Sequence, residues 1–183
     1  GLIVMGIHQG EAAALLVGNR IGHLEILFAL AKIGALAIPL DVKWRALELA
    51  STLSYLKPTA LFLEPGCREE FAEAKDLKGL EGIRPIVLDD SSYSELTEGA
   101  DADEPRVEVR EEDPFVVMIT SGTTGFPKAC VTSHRSYMFH CINNAIEKGL
   151  GVHDTSLLSS PIYFSHGRSF TMGTLYFGGT VMK

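Results

Sequence analysis

Long apolar runs are missing from this sequence. The most apolar stretch, residues 26–40, is interrupted by Lys32 and Pro39 and falls short of the ~20 apolar residues that cross a bilayer, so no membrane span is expected. The N-terminal GLIVMGIHQGE has no basic region and no small-residue cleavage site, which leaves nothing that reads as a secretory signal. Cysteine is scarce. Cys67, Cys130 and Cys141 form no CxxC pair, and an odd number of thiols without a signal is expected to stay reduced, in the cytoplasm, as packing residues. The six histidines are scattered, with no HExxH and no Cys/His cluster, so no zinc held by protein ligands is expected. A basic stripe interleaved with aromatics is also lacking, and nucleic-acid binding is left without its usual footprint.

What is present is the composition of a globular domain. The 183 residues are 46% hydrophobic and 21% charged, too apolar for a disordered chain and enough to bury about two thirds of the unfolded surface around a core. The net charge of −7 is unevenly placed, because most of the 23 acidic residues fall between residues 64 and 113. Beyond that stretch the basic Lys128, Arg135, Lys148, Arg168 and Lys183 outnumber Glu147 and Asp154. The acid-rich part reads as a solvated face followed by a connection over about residues 91–113, between two α/β portions.

Apolar runs of strand length alternate with segments of helical period. Residues 12–17 read as a strand, and residues 21–33 as a helix with Leu24, Leu27, Phe28 and Ala31 at helical spacing. Residues 36–40 form the next apolar run. Residues 45–56 follow as a helix with Leu49, Leu53 and Leu56 on one face, ended by Pro58. Residues 60–63, 71–77 and 86–88 continue the alternation more weakly. After the acidic connection come a β-prone strand at 115–119, a helix at 133–148 closed by Gly149, and a further strand at 156–158. This order predicts an α/β fold: a doubly wound, mostly parallel sheet with helices on both faces. Such sheets take their ligands at the carboxyl ends of the strands.

The segment TSGTTGFPK, residues 120–128, falls at that place, after the 115–119 strand and ahead of the helix expected near Ser133. Gly122 and Gly125 let the backbone turn its N–H groups toward an anion, and Ser121, Thr123 and Thr124 add hydroxyl donors. Pro127 fixes the exit. Lys128 brings the positive charge that a triphosphate needs in a partly dehydrated site. A flexible Gly/Ser/Thr linker would need neither the apolar strand before the segment nor the Pro-Lys after it. The P-loop pattern GxxxxGK followed by Ser or Thr is absent, since Pro127 precedes Lys128 and Ala129 follows it. GxGxxG is absent as well, which removes the dinucleotide fingerprint.

TSGTTGFPKA resembles the phosphate-loop signature (Ser or Thr)-SGTTGxPKG of the AMP-forming acyl-adenylating enzymes, a family that includes acyl-CoA synthetases, luciferases and the adenylation domains of peptide synthetases. Every position matches but the last, where Ala129 replaces Gly. Ser133-His134 is similar to the Thr-His pair that follows the loop in that family. FALAKIGALAIPLD is similar to its Leu-rich helix and following strand, SPIYFSHG to its acyl-pocket segment PLFHxxG, and GGTVMK to the Gly-Gly strand after it. The resemblance runs from about Gly10 to Lys183 and is weakest between Cys67 and Asp113.

The resemblance implies the larger part of the chemistry. A carboxylic acid is joined to the α-phosphorus of ATP with loss of pyrophosphate, and a thiol, coenzyme A in the acyl-CoA ligases, then takes the acyl group. Thr120, Ser121, Gly122, Thr123, Thr124, Gly125 and Lys128 would hold the β- and γ-phosphates, with Lys128 and Thr123 contributing to catalysis. Mg²⁺ would arrive with the phosphates rather than in a protein cage. His134 would support the loop or simply begin a helix. Tyr163, Phe164, Ser165, His166 and Gly167 are acyl-pocket candidates, with core packing as the other reading of the aromatics and of His166. In an ungapped comparison Phe164 stands where many acyl-CoA synthetases carry His, and His166 lies two residues later. Adenine and ribose contacts and the adenylation lysine belong downstream in this family, so the chain is expected to be part of the large N-terminal domain, without the C-terminal domain, and not competent by itself. An unrelated ATP-binding phosphotransferase and a non-catalytic nucleotide-binding module are the alternatives; release of ADP, or no turnover, would distinguish them.

Overall fold

The structure, a computed structural model, describes residues 1–98, 100–120 and 128–183. Its centre is a six-stranded sheet in the order β4-β3-β1-β2-β5-β6. The strands are β1 (Ala12–Leu16), β2 (Leu36–Pro39), β3 (Ala60–Leu63), β4 (Arg84–Val87), β5 (Pro114–Thr120) and β6 (Lys128–Ser133). All neighbours are parallel except β5 and β6, which run antiparallel. Helices α1 (Ile21–Lys32), α2 (Ala46–Leu56), α3 (Arg68–Lys78), α4 (Asp90–Thr97), α5 (His134–Glu147) and α6 (Ser165–Tyr176) cover it.

The burial of β1 explains why its sequence, AAALL, carries no polar alternation. Ala13, Leu15 and Val17 face one core with Ile26, Leu27 and Leu30 of α1, Leu96 of α4, Tyr137 and Cys141 of α5 and Met172 of α6. Ala14 and Leu16 face a second core with Leu49, Ala50 and Leu53 of α2 and Phe71 and Ala74 of α3. A strand covered on both faces must be apolar at every position. The chain therefore winds over one face through α1, over the other through α2 and α3, and returns to the first through α4. Leu27, Leu30, Leu49 and Leu53 are fully enclosed, and truncation of such a residue to Ala costs about 2–5 kcal/mol.

The structure differs from the sequence-based expectation in the buried face of α1, in β6, in α6 and in the placing of β7, and it adds detail to the acidic connection. In α1 the buried side is Gly22, His23, Ile26, Leu27 and Leu30, while Phe28 is exposed and Leu24 and Ala31 are only partly covered. The helix is apolar around most of its circumference, so spacing alone could not choose the face. The acid-rich connection opens with α4, and its far end is bound to the start of α5: the Arg135 guanidinium pairs with Glu111 at 2.8 Å and with Glu112 at 3.2 Å. The parts before and after the connection share one sheet, through the pairing of β2 with β5. The last residue of TSGTTGFPK, Lys128, begins β6, which precedes α5, so Thr120 and Lys128 stand on two antiparallel strands rather than on a strand and a helix. Finally, β7 (Thr155–Leu157) leaves the main sheet and pairs in parallel with β8 (Thr180–Met182).

Candidate active site

Of the residues singled out by sequence, Thr120, Lys128 and residues 163–165 lie at the carboxyl end of the parallel strands. Thr120 ends β5, Lys128 begins β6, and the two are partners in register. The Thr120 hydroxyl lies 3.5 Å from the Lys128 carbonyl oxygen. Ser121, Gly122, Thr123, Thr124 and Gly125 lie outside the described residues; the flanking Thr120 and Lys128 are paired across β5 and β6. Lys128 is exposed and forms no ion pair among the described residues. Its cation is available to an anion.

Residues 160–164 cross the same end of the sheet. The Ile162 N–H donates to Asn19 Oδ1, in the turn after β1, at 2.8 Å. Tyr163 is buried; burial pushes its hydroxyl up to about 12, and the carboxylates of Asp41 and Glu64, at the ends of β2 and β3, act in the same direction. Glu64 Oε2 also accepts the Gly18 N–H at 3.0 Å, joining the turns that leave β1 and β3. Phe164 remains 47% exposed and caps α6, its ring edge-on to Tyr163 at 4.8 Å. The Ser165 hydroxyl donates to Met118 Sδ of β5 at 3.1 Å. The segment expected to meet the acid is thus in contact with the strand that leads into the phosphate segment.

Gly167 has a role that the sequence does not reveal. A Cβ there would stand 2.3 Å from the Pro161 carbonyl oxygen and 2.4 Å from that of Ser160. The first turn of α6 therefore lies directly on the backbone of the crossing segment. His166 carries its chain into the helix, and its carbonyl accepts the Ser169 hydroxyl at 3.1 Å.

Arg168 was not among the residues that the motifs single out. It is 1% exposed, with Nη1 donating to the Ile162 and Tyr163 carbonyl oxygens at 3.2 and 3.1 Å and Nε donating to the Tyr137 hydroxyl at 3.0 Å. The signal in the sequence was a single arginine among the small and apolar residues of SHGRSFTMG. Nearby His23 is fully enclosed, and its Nδ1–H donates to the Val17 carbonyl oxygen at 2.8 Å. Burial lowers its pKa to about 4, the Val17 hydrogen bond opposes that shift, and the Arg168 charge adds to it.

His134 opens α5 behind Ser133, whose hydroxyl accepts the Ser136 N–H at 3.2 Å, an ordinary N-cap. The His134 ring lies 4.9 Å from that of Phe115. Its Nε2 is enclosed without a partner among the described residues. Burial lowers its pKa, opposed by the Asp113 carboxylate. It sits at the base of the β5–β6 hairpin, at the opposite end from Thr120 and Lys128, so any support for the loop passes through the strands.

Fold and site together define a doubly wound α/β protein in which the paired strands β5 and β6, carrying Thr120 and Lys128, lie beside a mostly apolar crossing segment. The chain belongs to the AMP-binding enzyme family, whose model matches residues 1–182. It is similar to a feruloyl-CoA synthase of Amycolatopsis, 28% identical over the whole chain and 35% of the relative. It is also similar to a long-chain-fatty-acid–CoA ligase of Mycobacterium tuberculosis, 30% identical over 88% of the chain and 32% of the relative. Among solved structures, a long-chain-fatty-acid-CoA ligase from Archaeoglobus fulgidus shares the fold with a TM-score of 0.89 at 24% identity, over 98% of this chain and 36% of the other. The chain spans about a third of the length of the curated relatives it matches. Among the described residues no helix is long and apolar enough to cross a membrane, and no group of His, Cys, Asp or Glu could hold a metal ion.

Proposed function

We propose that the chain supplies the phosphate-binding and acid-binding parts of an AMP-forming acid–thiol ligase. The observation that carries this reading is the meeting of two motifs. The hairpin ends Thr120 and Lys128 stand on β5 and β6, and the crossing segment touches β5 through Ser165 and Met118. In this reading ATP lies with its β- and γ-phosphates against residues 120–128. The acid carboxylate attacks the α-phosphorus, and pyrophosphate leaves from the side held by Lys128 and the loop donors. The protein contributes position and charge neutralisation, which together account for most of the acceleration of such a transfer.

Lys128 fits the group it would hold, being an exposed cation at the start of a strand with no ion pair among the described residues. Mg²⁺, when bound, would share the phosphate charge, held by phosphates and water. Thioester formation with coenzyme A is the proposed second step. The exposed Phe164 beside Tyr163 suits a fatty or aromatic acid. The 183 residues are not proposed to complete the reaction unaided, because the matched relatives extend well beyond them. The experiment is an assay of the full-length enzyme with ATP, Mg²⁺ and a panel of fatty and aromatic acids. Acid-dependent exchange of pyrophosphate into ATP, and AMP rather than ADP as product, are expected. ADP as the product would overturn the proposal.

A further inference from the structure

We infer that Arg168 is the positioning residue of the acid-binding segment, acting with Asn19 to fix residues 162–164 over the carboxyl end of the sheet. The inference rests on the proposed ligase reading and goes beyond it, because neither residue belongs to the motifs that identify the family.

Arg168 is a costly choice where it stands. A guanidinium taken out of water is normally matched by a carboxylate, yet the hydrogen bonds described for Arg168 end on neutral oxygens: the Tyr137 hydroxyl and the Ile162 and Tyr163 carbonyls. A side chain needed only for volume would be apolar at this depth. What Arg offers over Leu or Met is a rigid planar fork with several donors. Here Nη1 bridges two consecutive carbonyls while Nε ties them to α5.

The other side of the segment is held from β1. Asn19 Oδ1 receives the Ile162 N–H, so Ile162 is fixed through its amide by one residue and through its carbonyl by the other. The turn carrying Asn19 is in turn set by His23, whose ring bonds to the Val17 carbonyl. Gly167 allows the first turn of α6 to press against residues 160 and 161. Two hydrogen-bonding residues and one steric contact thus define where Tyr163 points and where Phe164 emerges. No described bond of Arg168 reaches the β5–β6 hairpin, so its influence should fall on the acid and not on the phosphates.

The test uses the full-length enzyme with Arg168→Lys, Arg168→Met and Asn19→Ala, measuring acid-dependent ATP–pyrophosphate exchange. Lys keeps the charge but cannot reproduce the fork. For Arg168→Lys and Asn19→Ala the KM for the acid should rise about tenfold or more, while the KM for ATP stays within about twofold. Arg168→Met should show the acid defect at least as strongly; if it does not fold, the other two variants decide. A purely structural role predicts fewer active molecules with both KM values unchanged, and that result would overturn the inference. An equal rise in both KM values would also overturn it. If the unsubstituted enzyme shows no acid-dependent exchange, the ligase reading itself fails and the inference falls with it.

Discussion

The hydroxyl of Ser165 lies 3.1 Å from the sulfur of Met118, joining the first residue of α6 to the strand that ends at Thr120. Through this contact the crossing segment touches the strand that leads into the proposed phosphate segment. Changing the size of the side chain at Phe164 or Ser165 should therefore shift which acids are activated more than it shifts ATP affinity. A pocket wall discriminates by about 1–3 kcal/mol per methylene-sized change, so relative exchange rates across a panel of chain lengths and aromatic acids should move visibly. Fixed acid preference with collapsed ATP affinity would place the segment in the nucleotide site or the core.

Gly167→Ala is expected to destabilise the protein. The added Cβ would fall 2.3 and 2.4 Å from two backbone carbonyl oxygens, and backbone cannot rotate away as a side-chain tip can. Overpacking of this kind costs about 1–3 kcal/mol or more. Gly66→Ala is the control, with nothing within 4 Å of its Cβ. Urea denaturation should show a lowered midpoint for the first variant and little change for the second. Equal midpoints would mean that α6 is not seated on residues 160 and 161.

Acidification should weaken the fold through His23. Its pKa is lowered to about 4 from 6.5, so between those values the unfolded chain binds a proton that the folded protein refuses. The stability due to the neutral imidazole is present in full above about pH 6.5, is lost as pH falls from there toward 4, and changes no further below. The loss is about 3 kcal/mol, and His134, lowered by its own burial, adds in the same direction. His23→Gln, which keeps a donor for Val17, should flatten this part of the stability profile in denaturation series at successive pH values. An unchanged slope would contradict the assignment.

Much of the architecture was legible because it follows from burial. The unbroken apolarity of residues 12–16 and 60–63 could only belong to strands covered on both faces, and Ser133 and Gly149 mark the ends of α5 by cap chemistry. Strand β6 was not legible: KACVTS is short, lies on a sheet edge, and is organised by its partner β5, which no local pattern records. Helix α6 was hidden because Gly167 and Gly173 depress helix propensity. Both are there for close approach, a Cβ on Gly173 standing 2.7 Å from the Cys141 carbonyl oxygen. The phosphate segment was recognisable as a motif, since its residue types carry the chemistry directly. Arg168 was not, since its meaning lies in three oxygens brought to it by folding.

The proposed function depends most on Lys128, the exposed cation opposite Thr120 at the mouth of the β5–β6 hairpin. In the full-length enzyme, Lys128→Ala should lower acid-dependent ATP–pyrophosphate exchange by at least about tenfold, as loss of a charge-assisted contact worth ~1.5–3 kcal/mol requires. The variant should keep its thermal unfolding midpoint, because the removed side chain makes no described ion pair. Exchange kinetics unchanged in a folded Lys128→Ala enzyme would contradict the phosphate-binding role on which the proposed function stands.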